Sequence, residues 1–456
     1  MNLLATTALL VYLVIAIVLR FTYGTYHPLW LAALTSALAV FAVVALAKRE
    51  TAGKPAPSGT TEVNRLLWVV VAIGATLLSV DPRLVTATAH AIFALRIECG
   101  LVALLAAVYA IRRLQQVEVL ERTELRAAVI CCAGLLMARA LTILAAPAPA
   151  IDVYVTNTLA CDHALAGENP YAAQYPDIYG GKYAYTQHFF YWPAYLLWAL
   201  PFRALVGDIR YAVLAADLLT AVGLYVLGRR LQFPRSTSAL LAAGWLSCPI
   251  SLLVVELAWI DPVLVLGSVG LALALAYRRW VLTGLAIGAL AATKQYGGLV
   301  GVLSLAYVAS IDRRAALRAG IAAAATWGAL LAPYLWLDAG SFYRSTIAVY
   351  LKQPLRADSL SWVAWFKNQL GFEPAGWALL AAYFGVLGAA CWLLVWRSQG
   401  RLALWAAACA LAYGAIFLLG KQAFCNYYYF VGFFVFLTFV LAVAEQPRTT
   451  LRAVHA

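Results

Sequence analysis

Five short stretches of this chain carry residue types suited to acid–base or phosphate chemistry, and each interrupts an otherwise apolar sequence. The first opens Pro147-Ala-Pro149-Ala-Ile-Asp152-Val-Tyr154 and runs through Asp162-His163 and Asn169-Pro170-Tyr171 to Tyr191-Trp192-Pro193. Asp152 follows a hydrophobic run directly, after a Pro-Ala-Pro breaker. A carboxylate there is either a solvated helix end or a general base at a membrane surface. Such a base takes a hydroxyl proton as a bond forms, an effect of about 10²–10⁴-fold. Partial burial raises its pKa, and a nearby Lys or Arg lowers it. If 153–166 is helical, Asp162 can face the same cleft; the plainer reading of Asp162 and His163 is a solvated helix face.

The second stretch is Glu256-Leu-Ala-Trp259-Ile-Asp261-Pro262. Asp as a cap with Pro at the first helical position is a good helix start. Asp261 and Glu256 could equally join Asp152 in holding a hard divalent cation such as Mg or Mn. The lone His163 and His188 are weak metal ligands by spacing. The third and fourth stretches are Lys294-Gln295-Tyr296 and Lys421-Gln422-Ala-Phe-Cys-Asn426. Cations at span ends often only snorkel to the interface. Several of them opposite an acidic loop suggest an anion, and a lipid-borne phosphate suits them. The fifth, within 338–373, interleaves Tyr343-Arg344, Lys352, Arg356 and Trp362. Aromatic faces there suit sugar rings and cations alike.

The elements that must position these groups are membrane helices. Of 456 residues, 64% are hydrophobic and 12% charged, with mean hydropathy +0.83. A soluble chain would carry roughly 25% charge. Apolar runs recur at the length that crosses ~30 Å of hydrocarbon as helix. Fourteen spans are expected, near 2–21, 28–47, 66–80, 84–111, 127–146, 211–228, 237–255, 261–277, 281–293, 295–310, 319–337, 375–396, 402–419 and 424–444. The first reads as a membrane helix rather than a signal peptide, because it lacks a basic leader and a small-residue cleavage site. The net charge of +13 does not indicate nucleic acid, because Lys and Arg fall in short loops between spans. With both termini cytoplasmic, twenty of the thirty-three basic residues lie in cytoplasmic loops, as the positive-inside rule requires. All five polar stretches then face outside. Segment 188–207 is expected to lie on or dip into the outer leaflet, and mid-span Asp217 to face protein with a partner. Residues 1–126 read as accessory N-terminal helices. Residues 127–456 read as the functional core, with outer loops 147–210 and 338–373.

The order of Asp152, Gly167-x-Asn169-Pro170-Tyr171, Tyr191-Trp192-Pro193, Trp259-Ile-Asp261-Pro262, Lys294-Gln295 and Lys421-Gln422-Ala-Phe-Cys-Asn426 resembles the GT-C superfamily. Its bacterial members transfer mannose or arabinofuranose from polyprenyl phosphate in the cell envelope. The resemblance covers about 127–444. It implies a GT-C-like helix bundle with outer-face loops and juxtamembrane helices, working in the cytoplasmic membrane with its site on the exterior. It implies an inverting transfer from a polyprenyl-phosphate sugar to a glycolipid or glycan acceptor, with Asp152 as base. Lys294, Gln295, Lys352, Arg356, Lys421 and Asn426 would serve the phosphate, and Tyr154, Tyr171, Trp192, Trp259, Asp162 and His163 the substrate. Two features depart from the family: four extra spans precede its usual first core helix, and Asp152 has no adjacent acid. A multi-spanning transporter or lipid flippase is the alternative. It would need mid-membrane ionisable groups and internal repeats.

Overall fold

The structure, a computed structural model, describes residues 1–47, 59–182 and 187–445. The basic positions Lys48, Arg49, Lys54, Arg448 and Arg452, and the stretch Tyr183-Ala-Tyr185, lie outside the described residues. Helices α1 (Leu3–Thr22) and α2 (Pro28–Leu46) precede α3 (Gly59–Val80), α4 (Ala89–Leu114) and α5 (Glu121–Ala145). Two short helices, α6 (Asp152–Leu165) and α7 (Pro193–Val206), separate α5 from α8 (Arg210–Arg230). Then come α9 (Arg235–Leu246), α10 (Ser251–Glu256), α11 (Asp261–Ala276), α12 (Trp280–Ala291) and α13 (Gly297–Ala309). Helix α14 (Arg313–Tyr343) continues through a π-helical turn (Arg344–Ala348) into α15 (Val349–Lys352). Last are α16 (Trp362–Leu370), α17 (Gly376–Arg397), α18 (Leu402–Leu418) and α19 (Cys425–Ala444). There is no strand among the described residues, only an isolated bridge from Thr25 to Ser359.

Nine helices among the described residues are long and apolar enough to cross a membrane. The chain is therefore a multi-pass, membrane-embedded helical protein. Of the other five expected spans, four are helices of 12–17 residues: α11, α12, α13 and α18. The fifth, 237–255, is not one helix. It breaks between α9 and α10 at Ser247–Ile250, where Pro249 lacks an N–H and keeps Cys248 out of the helical region. Within 147–210, α6 matches the helix considered at 153–166 and α7 lies in the segment 188–207 expected as a helix at the outer leaflet, while 338–373 carries α15 and α16. Asp338 interrupts α14 with an extended backbone, and its carboxylate accepts from the Ser341 N–H at 2.9 Å, restarting the helix.

Helix α19 is the centre of the bundle, buried nearly throughout, with α1 and α18 against it. At its N-terminus a turn of the chain comes very close. A Cβ on Gly24 would lie 2.0 Å from the Cys425 nitrogen, and Gly24 has φ +69°. Only glycine fits both requirements. Helices α3 and α4 pair, α3 and α5 pack on α9, and the core runs without a break across position 126. The buried Glu124 carboxylate joins these elements by accepting from Asn64, Trp68 and Arg113. In the middle of the bundle, Asp217 of α8 meets Arg139 of α5 at 2.8 Å, with both side chains buried. Arg139 also donates to the carbonyls of Leu135 and Leu246. The partner expected for Asp217 is thus a residue 78 positions earlier.

Candidate functional site

Asp152 and Asp261 begin α6 and α11, Lys294 lies just before α13, and Asn426 lies in the first turn of α19. Asp152 stands in the first turn of α6. The corner that leads to it is held by Arg210, which is buried and donates to the carbonyls of Ile143 (3.1 Å) and Ala146 (2.5 Å) at the end of α5. These are carbonyls that no helical partner satisfies. Arg210 also pairs with Asp208 and lies over the Tyr154 ring at 5.2 Å, so Tyr154 belongs to this support. Asp152 is 8% exposed. Its Oδ1 accepts from the Val153 N–H at 2.9 Å and the Tyr179 hydroxyl at 3.4 Å. Burial, the largest influence, pushes its carboxyl above the ordinary range. The bonds from Val153 and Tyr179, and the charge of Arg356, pull it back.

A second cluster lies at the start of α11. Asp261 is fully buried and accepts from Lys294 Nζ at 3.3 Å on each oxygen, from Asn426 Nδ2 at 2.9 Å and from the Tyr296 hydroxyl. The Lys294 ammonium also lies over the rings of Tyr296, Tyr427 and Tyr191, at 4.7, 5.1 and 5.7 Å. Ring faces and a carboxylate replace its lost hydration. Of the two roles the sequence leaves open for Asp261, helix cap or binding group, the structure shows neither directly: three tertiary partners occupy its carboxylate.

Tyr191 links the two clusters. Burial pushes its hydroxyl well above the usual phenol range, and Tyr350, Asp152 and Asp261 add to this. The segment that carries it is stitched to the α12–α13 turn: the Trp192 N–H donates to the Thr293 carbonyl at 3.3 Å and the Ala194 N–H to that of Ala292 at 2.8 Å. Gln295 Nε2 completes the seam on the carbonyls of Phe190 and Thr346. Gln295 therefore fastens α13 to this segment and to the π-helical turn.

The basic groups divide. Lys294 is committed to Asp261. Arg356 pairs with Asp358 at 2.7 Å, lies over the Phe424 ring at 4.8 Å, and donates its backbone N–H to the Lys421 carbonyl. That bond brings Lys421 beside it, and the Lys421 side chain is half-buried. Lys352 is exposed at the end of α15. Asp162 and His163 do not join the site. Asp162 is half-buried and pairs with Arg203 at 2.7 and 2.9 Å, and His163 bonds Glu168. Of the aromatic candidates, Tyr171 is a core residue among Phe189, Tyr334 and Phe342, with its hydroxyl on the Tyr191 carbonyl. Trp192 packs on Trp327 and Phe342. Trp259 is half-buried where the two hydrophobic clusters meet.

Among the described residues the carboxylates singled out are taken up by protein partners rather than grouped around an ion. Asp261 is saturated by Lys294, Asn426 and Tyr296. Glu256 is consumed by the N–H groups of Val85 and Thr86 and the Thr86 hydroxyl. Among the described residues no three His, Cys, Asp or Glu are placed to share an ion, and we derive no step through a metal. Sequence reasoning missed Tyr179 and Arg210. Neither gave a signal in the sequence, because the burial of Arg210 and its bonds to the end of α5 are visible only in the fold.

No family model, no curated protein and no solved structure matches the chain.

Proposed function

We propose that this protein is a membrane glycosyltransferase of GT-C-like architecture. It would move a mannose- or arabinofuranose-like sugar from polyprenyl phosphate to a lipid or glycan acceptor of the cell envelope. The observation that carries the reading is Asp152: a carboxyl raised by burial, anchored through one oxygen only, with Arg356 bearing on it. In the proposed step Asp152 takes the acceptor hydroxyl proton and the acceptor oxygen bonds to the anomeric carbon. The bond from that carbon to the phosphate oxygen breaks on the opposite face, and polyprenyl phosphate leaves with the electron pair. Arg356 and Lys421 offset the charge that grows on the phosphate, an interaction stronger in the transition state than before it. Asp261 and Lys294 act from behind, fixing Tyr191, Tyr296 and Tyr427 as one wall.

The distribution of basic residues supports a site on the exterior of the cytoplasmic membrane with both termini in the cytoplasm. In this reading helices 1–126 brace the core, as the Glu256 anchor to residues 85–86 suggests. Purified protein in detergent, given radiolabelled polyprenyl-phosphate sugars and an envelope lipid extract, is expected to transfer from one donor. Binding of no such lipid would defeat the proposal. A lipid or sugar transporter is the second reading, and the buried Arg139–Asp217 pair is the observation in its favour.

A further inference from the structure

Helices α2, α17 and α18 do not close fully on one another. They leave a groove of about 820 Å³. Its walls are apolar, alanines such as Ala42 of α2, Ala390 of α17 and Ala412 of α18 alternating with leucines such as Leu38, Leu393 and Leu411. Its charge is confined to one mouth, where the turn from α17 to α18 places Arg397, Gln399 and Arg401 on the lining, with Trp396 beside them. Among the described residues, Arg397 bonds only the Leu46 carbonyl, through one nitrogen at 2.7 Å. Arg401 pairs with Glu445 through Nε at 3.3 Å. The groove needs a cover, because a void in a packed bundle forfeits the dispersion contacts of its walls. Water is a poor cover for the apolar stretch of the groove, where the Ala and Leu side chains offer it no hydrogen bonds.

We propose that the groove binds an anionic glycerophospholipid of the leaflet at the arginine end. Its phosphate would sit between Arg397 and Arg401, and an acyl chain would lie along Ala408 and Ala412. The charge pattern selects this occupant. Two guanidiniums at a mouth beside an interfacial indole match a phosphodiester at headgroup depth, and the lipid's chains fill what the alanines leave. A zwitterionic lipid offers the same chains but places a cation against the arginines. The site is separate from the proposed transfer chemistry and does not depend on it.

The test uses the full chain in detergent, incubated with phosphatidylglycerol or phosphatidylcholine, passed through gel filtration and examined by native mass spectrometry. Wild type is expected to retain phosphatidylglycerol in at least about tenfold preference over phosphatidylcholine, the scale of one charge-assisted contact. Arg397→Gln with Arg401→Gln is expected to abolish the preference. Ala408→Phe, which fills the groove and leaves both arginines, is expected to abolish retention of either lipid. Arg397→Gln alone, at an exposed position, serves if the double variant fails to fold. Equal retention of the two lipids overturns the proposal, as does unchanged preference in the arginine variants. Retention of a polyprenyl phosphate instead would assign the groove to that chain. A dimer that excludes both lipids would make it an interface.

Discussion

Replacing Asp152 by Asn tests the proposed chemistry at a single atom. The amide keeps an oxygen for the Val153 N–H and the Tyr179 hydroxyl, so the corner between α5 and α6 stays in place. What is lost is the capacity to take a proton. A general base contributes about 10²–10⁴-fold, or about 2.7–5.5 kcal/mol of barrier. Transfer should fall by that factor, with donor binding unchanged. Wild-type activity should also fall as pH drops through the Asp152 pKa, which burial has raised. Its acid limb therefore lies above that of an ordinary carboxyl. The stability effect has the opposite sign. Between the unfolded and folded pKa values the folded state holds the extra proton, so stability decreases as pH rises through that window. The charged form is the costly one, and Asp152→Asn should match or exceed wild type in thermal stability at neutral pH, with the difference closing in acid. The assays are radiolabelled transfer across pH and fluorescence-monitored melting in detergent. Turnover within about threefold of wild type would remove Asp152 as the base, and a melting loss at neutral pH would contradict the burial argument.

Other consequences follow from the same geometry. Arg139→Leu strands the buried Asp217 and should cost about 3–5 kcal/mol of stability, while the double variant with Asp217→Leu should recover most of it; melting curves of the three proteins decide this. Arg203→Ala removes a partly exposed pair with Asp162 and should change stability by about 1 kcal/mol at most, leaving transfer near wild type; a large loss would return Asp162 to the site. Lys294→Met leaves Asp261 buried without its cation and should lower the melting temperature, with Asp261→Asn partly rescuing the double variant. Gly24→Ala places a Cβ against the α19 backbone at a positive φ, and strain of about 1–3 kcal/mol is expected in the melt from the backbone angle alone.

Span positions were legible because hydropathy is a property of contiguous residues. The ends of α1, α8, α17 and α19 fall within a few residues of the apolar runs that mark them. The helix at 152–165 was also legible, as was the need of Asp217 for a partner. The identities of partners were not. Asp261 reads locally as a cap because Pro262 follows it, yet Lys294 and Asn426 come from 33 and 165 residues away. Nothing near Asp261 encodes their approach. Glu256 looked like a candidate ligand for the same reason, and the residues that consume it, Val85 and Thr86, lie 170 or more positions back. Lys294 was identified as a basic group of the site, but its aromatic surroundings depend on Tyr191 and Tyr427 converging from separate elements. The break within 237–255 was readable from Pro249, whose effect outweighs the hydropathy of its neighbours.

The most direct test of the central claim follows two activities in one preparation. Wild-type protein and Asp152→Asn are reconstituted in sealed vesicles with a labelled polyprenyl-phosphate sugar and an envelope acceptor, and both sugar transfer and movement of the labelled lipid between leaflets are followed. A glycosyltransferase transfers the sugar in wild type, loses transfer in Asp152→Asn, and moves the lipid no faster than protein-free vesicles do. Lipid movement without transfer, equal in both proteins, would contradict the account and favour a flippase.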